Sequence, residues 1–131
     1  MSTIELNVII FFGSIVMISC SILKKSDGEI IKGNYEIVKV EKINDNKCQL
    51  VCIVYDKKNN VPISNATIHI NDLNLGGSTK NNGIIEIEIP AGKYIVTAMN
   101  VGNTTIETNS IEFKPSTQTE IKFELGTTII H

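Results

Sequence analysis

The chain has 131 residues, a net charge of −2 and 12 basic residues, every one of them lysine. A nearly neutral chain with no basic stripe lacks the footprint of a nucleic-acid binder, and without arginine it lacks the usual bidentate partner for phosphate or carboxylate ligands. Two histidines and three cysteines, all dispersed, form no metal-ligand set and no nucleophile–base pair, so no enzyme activity, cofactor or metal is expected.

The first element is an uncharged apolar run from Val8 to Ile18, followed by Ser19-Cys20 and then the polar stretch Lys24-Lys25-Ser26-Asp27-Gly28. Its length matches the apolar core of an export signal, which predicts a signal helix over residues 1–19. The order Met17-Ile18-Ser19-Cys20 resembles a bacterial lipobox: an apolar residue, a tolerant position, a small residue, then cysteine. That resemblance implies acylation of the Cys20 thiol, a mature chain beginning at Cys20 and attachment to a membrane. Each buried methylene of an acyl chain adds about 0.8 kcal/mol to membrane binding, so two or three chains hold a small domain durably. Two alternatives stay open. Leu6 to Leu23 reaches the lower length limit of a spanning helix, and the same run also fits an ordinary cleaved signal.

Residues 20–33 are polar and read as a tether. The remainder, 34–131, is one domain, because the roughly 110 residues after a signal suffice for one core and not for two. Within it, β-branched and aromatic runs separated by Gly, Asn, Asp and Pro predict an all-β sandwich or barrel of antiparallel strands.

Tyr35 to Ile43 has mixed polarity on both faces and is expected at an edge. Gln49 to Tyr55 is apolar on both faces and is expected at the centre, with Asn44-Asp45-Asn46 turning between them. Cys48 and Cys52, four apart on one strand, stand about 13 Å from each other at roughly 3.3 Å per residue. They are too distant for a disulfide and read as small buried hydrophobes. Ala66, Ile68 and Ile70 alternate with Thr67, His69 and Asn71, so the first three point inward and His69 points to solvent. Ile85, Ile87 and Ile89 alternate with Glu86 and Glu88; an open strand face gives that carboxylate pair neither the apolar pocket nor the cleft that sugar hydrolysis needs. Further strands are expected at Lys93 to Met99, Thr104 to Phe113 and Thr119 to Leu125, the last with Ile121, Phe123 and Leu125 facing in.

Four motifs recur in order along this domain. Cys52-Ile53-Val54-Tyr55-Asp56 is followed by Pro62-Ile63-Ser64-Asn65-Ala66-Thr67-Ile68, then Thr79-Lys80-Asn81-Asn82-Gly83-Ile84-Ile85, then Pro90-Ala91-Gly92-Lys93-Tyr94. Together they resemble the carboxypeptidase regulatory-like domain, a transthyretin-like, Ig-like sandwich of about seven to eight antiparallel strands found in bacterial envelope proteins. The matching positions are Val54, Asp56, Pro62, Ala66, Thr79, Gly83, Pro90, Gly92 and Tyr94. Cys52 stands where the family has glycine, Lys80 where it has aspartate and Ile85 where it has an aromatic residue. Asn82-Gly83 suits the positive φ angles of a tight hairpin, Pro90 stops a strand, and Tyr94 is placed to bond backbone through its hydroxyl as in a tyrosine corner.

The resemblance implies a non-enzymatic accessory module, structural or protein-binding, in the bacterial cell envelope on its periplasmic or outer side, with another envelope protein as partner. Carbohydrate binding is the alternative, with Tyr35 and Tyr55 as the available aromatic platforms in a chain that has no tryptophan.

Overall fold

The computed structural model describes residues 28–44 and 46–130, and the described part is all-β. Its strands are β1 Gly28–Ile31, β2 Asn34–Lys42, β3 Cys48–Asp56, β4 Val61–Pro62, β5 Thr67–Ile70, β6 Leu75–Ser78 and β7 Ile84–Ile89. They continue as β8 Gly92–Tyr94, β9 Val96–Met99, β10 Ile106–Glu107, β11 Ile111–Phe113, β12 Thr117–Leu125 and β13 Thr127–Ile130. Ile30–Thr128 make up one unit, and the described residues outside it, 28–29 and 129–130, are the outer ends of β1 and β13. The apolar run through Cys20 lies outside the described residues. Among the described residues no helix is long and apolar enough to cross a membrane.

A five-stranded sheet runs β2-β12-β3, with β7 and β4 sharing the far side of β3. A four-stranded sheet runs β10-β9-β5-β6, and β8 with β11 and β1 with β13 form two-stranded ribbons. The inward residues of both larger sheets meet in one core. Leu50, Cys52 and Val54 of β3 and Ile121, Phe123 and Leu125 of β12 pack with Ile68, Ile70, Val96 and Ala98, all of them fully buried. The arrangement is sandwich-like, with β3 at the centre of its sheet as its two apolar faces predict.

Five expectations are revised. The sheet is not purely antiparallel: β3 and β12 pair in parallel along their whole length, from Cys48 opposite Thr117 to Asp56 opposite Leu125. A parallel pair needs a long crossover, and here β4 to β11 lie between the two strands. Among the described residues the expected seven to eight strands are instead thirteen, several of them only two to four residues long. The Lys93 to Met99 run breaks at Ile95, where the chain leaves β11 and joins β5 and β10. Thr104 to Phe113 breaks likewise, and Thr108 fills the gap: its hydroxyl accepts from Val96 N at 3.0 Å and donates to Asn109 O at 2.7 Å. Strand pairing also begins at Gly28, inside the stretch that reads as tether.

The alternation holds where it is strongest. Ala66, Ile68 and Ile70 are fully buried, as are Ile121, Phe123 and Leu125. Ile85 and Ile87 pack against the core while Glu86 and Glu88 are exposed.

Candidate functional site

The motif residues fall into two groups at opposite ends of the β3–β7 pair: Val54, Asp56, Pro62, Ala66, Thr79 and Gly83 near one end, and Pro90, Gly92 and Tyr94 beyond the other. Gly83, at φ 78°, carries no Cβ where one would come within 2.8 Å of Val54 O and 2.9 Å of Pro62 Cβ. That absence lets Gly83 O accept from Val54 N at 2.8 Å, while Val54 O accepts from Ile63 N at 2.9 Å. Thr79, 2% exposed, clamps the neighbouring segment: its hydroxyl donates to Ile63 O at 2.6 Å and accepts from Ala66 N at 2.9 Å. Asp56 closes the turn after β3, accepting from Lys58 N at 3.0 Å and from the Asn59 side chain at 3.4 Å.

The turn at Asn82-Gly83 is not the two-residue hairpin expected. Only Gly83 has positive φ, Asn82 Oδ1 accepts from Ile84 N at 3.1 Å, and the chain passes here from β6 in one sheet to β7 in the other. The second turn follows the expected pattern. Pro90 ends β7, Gly92 adopts φ 153°, and the Tyr94 hydroxyl donates to Ala91 O at 3.2 Å. A Cβ on Gly92 would sit 2.7 Å from that hydroxyl, and the Tyr94 ring stacks on Phe113 at 6.1 Å between centroids.

One group of polar side chains bonds to itself. On the outer face of the four-stranded sheet His69, Thr97 and Glu107 lie in one cross-strand row. Asn71 ties them together: Thr97 Oγ1 donates to Asn71 Oδ1 at 2.8 Å, and Asn71 Nδ2 donates to Glu107 Oε2 at 3.0 Å. His69 Nδ1 lies 3.4 Å from Asn71 Oδ1, so the ring is half-buried within this row and not pointed freely into solvent. Among the described residues no three His, Cys, Asp or Glu side chains converge as metal ligands.

Cys48 and Cys52 are buried free thiols, as their spacing implies. Cys48 donates to Lys114 O at 2.7 Å and lines an open cavity of about 340 Å³ with Lys47, Glu88, Pro90, Ala91 and Pro115. Burial raises both thiol pKa values, opposed at Cys48 by a hydrogen bond with Thr117. A raised acid pKa in the folded state contributes stability at pH values below the unfolded pKa, about 8.5 for a thiol, and loses it as pH rises beyond that. Stability is therefore expected to fall above about pH 8.5 by as much as roughly 1.4 kcal/mol per pH unit for Cys52. In urea titrations from pH 7 to 10, Cys52→Ala should flatten that slope. An equal slope in wild type and variant would refute the assignment.

Among the described residues, β2 presents an open outer edge. This nine-residue strand pairs only with β12 among the described residues, and Ile37, Val38 and Val40 are 43%, 41% and 62% exposed. Val38 is an extra residue: Ile37 opposes Ile121 and Lys39 opposes Glu120, leaving a β-bulge between them. Edge position is legible from mixed polarity. The bulge has a signal that alternation alone passes over, two successive apolar residues held between Glu36 and Lys39.

Of the two aromatic platforms, Tyr55 has the Lys122 ammonium over its ring, 4.9 Å from the centroid. Tyr35 packs against Phe123 at 6.2 Å, and its hydroxyl accepts from Asn109 N at 3.1 Å. Comparison of the chain with protein-family models and with curated proteins yields no match.

Proposed function

We propose that this chain is a non-enzymatic, lipid-anchored cell-envelope protein whose β-sandwich, of the transthyretin-like type seen in carboxypeptidase regulatory-like domains, acts as a structural or protein-interaction module. The reading is carried by one contrast. Thr79, Asp56 and Tyr94 commit their polar groups to turns and to the core, whereas the exposed apolar residues of β2 lie along a strand that, among the described residues, pairs on its β12 side alone. Such an edge recognises another strand through main-chain hydrogen bonds, a mode suited to protein partners. Cys20 would hold the module on the periplasmic or outer side of a membrane, and its attachment follows from the Met17-Ile18-Ser19-Cys20 order.

The anchor is tested by metabolic labelling with a fatty acid. Cys20→Ala should abolish labelling and leave the unprocessed chain. Mass spectrometry that finds an unmodified mature N-terminus at another residue would refute it. Crosslinking in intact cells then identifies the partner of the module.

A further inference from the structure

The edge of β2 has a charge and face pattern that fits itself. Ile43 N donates to Ser116 O at 3.0 Å, so by antiparallel alternation the backbone groups of Lys42 and Val40 turn away from β12 and toward the open side. Before the bulge, Tyr35 and Ile37 oppose the buried Phe123 and Ile121 and lie on the inner face, while Asn34 and Glu36 lie on the outer one. After the bulge the parity reverses: Lys39 and Glu41 are outer, and Val40 is inner opposite Thr119.

A bulge normally guards an edge by bending it. Here the parity change has a second consequence. When two copies of β2 lie antiparallel across a two-fold axis between Ile37 and Val38, outer residues meet outer residues and inner meet inner. Glu36 then faces Lys39 of the second copy, and the pair occurs twice. Asn34 faces Glu41 on the same outer side, and Tyr35 faces Val40 on the inner side. Sliding the register by two residues toward the C-terminus puts Glu36 opposite Glu41, a like-charge pair. The opposite edge of the sheet, β7, carries Glu86 and Glu88 on its outer face and no lysine, so it offers no comparable self-pairing.

The geometry points to β2 as a homodimer edge, joining two five-stranded sheets into one continuous sheet and covering Ile37, Val38 and Val40. The occupant is a second copy of this chain, because the interface is isologous and its charges complement themselves. This inference is independent of the Cys20 anchor, and a failed labelling experiment leaves it standing.

Sedimentation equilibrium of the full-length chain in density-matched detergent tests it. Wild type should dimerise, and a zero-length carbodiimide crosslink should join Glu36 to Lys39 between isotopically distinct copies. E36K and K39E should each weaken dimerisation by about tenfold or more, since each turns two attractive pairs into two repulsive ones. An equimolar mixture of E36K and K39E should dimerise again, because one copy then carries lysine at both positions and the other glutamate at both, so each cross-copy pair is attractive. The double variant E36K/K39E should also dimerise, which covers the case in which a single variant folds poorly. A monomeric wild type, single variants as tightly associated as wild type, or a mixture and a double variant no tighter than the single variants would each overturn the inference. So would crosslinks running from β2 to residues 1–27 of the same copy.

Discussion

Gly126→Ala is expected to destabilise the domain by about 3 kcal/mol, at the upper end of the cost of forcing atoms into a closed space. Gly126 links β12 to β13, and a Cβ there would collide with Ile31 O and come within 2.7 Å of Gly33 N and of Thr104 Oγ1. Two of those three atoms are backbone, so relief requires the segments themselves to part. Gly126 is not among the residues of positive φ. Its need for glycine therefore comes from close approach and not from backbone conformation. Gly33, on the other side of the contact, is equally confined, with a Cβ placed 2.6 Å from Glu124 O and 2.8 Å from Gly126 N. In a domain of this size 1 kcal/mol moves the Tm by roughly 4–8 °C, so thermal unfolding should show a fall of more than about 10 °C. Gly77→Ala is the control: its Cβ would meet only Ile85 Cδ1, at 2.7 Å, the end of a side chain that can turn aside. Equal Tm values for the two variants would show that Gly126 is not held against Ile31 and Gly33.

Thr79→Val should cost about 2 kcal/mol, because it preserves shape while leaving one buried and one part-buried backbone group without their side-chain partner, at about 1–3 kcal/mol for the buried one. Ala66 N loses the hydroxyl that accepts from it at 2.9 Å, and Ile63 O loses the hydroxyl that donates to it at 2.6 Å. The backbone bonds from Thr79 N to Ala66 O and from Asn65 N to Thr79 O remain, so the variant isolates the side chain's part in the clamp. Urea unfolding should give a lower midpoint at unchanged slope, the signature of lost stability without a change in the surface exposed. Thr79→Ser keeps both hydrogen bonds and should recover most of the difference. A Val variant as stable as Ser would mean that the hydroxyl does not bridge these segments.

Thr79 also illustrates what can be read from a motif. Its place in the order Thr79-Lys80-Asn81-Asn82-Gly83 marks a turn, and the turn is there. Its hydrogen bonds to Ile63 and Ala66 reach back to another part of the chain and have no local pattern. His69 fails in the same manner: alternation puts it on the outer face correctly, but Asn71, which bonds Thr97 and Glu107, decides how open that face is. Lys93 to Met99 reads as one strand because it is rich in strand formers. It divides at Ile95 because its two parts find different partner strands, β11 and β5.

By itself the sequence determined which side chains of the Ala66 to Ile70, Ile85 to Ile89 and Ile121 to Leu125 stretches face the core, the turn at Pro90 to Gly92, and that the two cysteines within the domain are buried and unbridged. Those properties follow from the two-residue period of a strand, from the positive φ that glycine tolerates and from the reach of a disulfide, all of them local. The tertiary structure alone decided that β12 runs parallel to β3, that the long β2 lies open with a bulge at Val38, and that Gly126 and Gly33 are pressed together. Each of these depends on which distant segments meet, and the energy of such a meeting belongs to the pair and not to either stretch of chain.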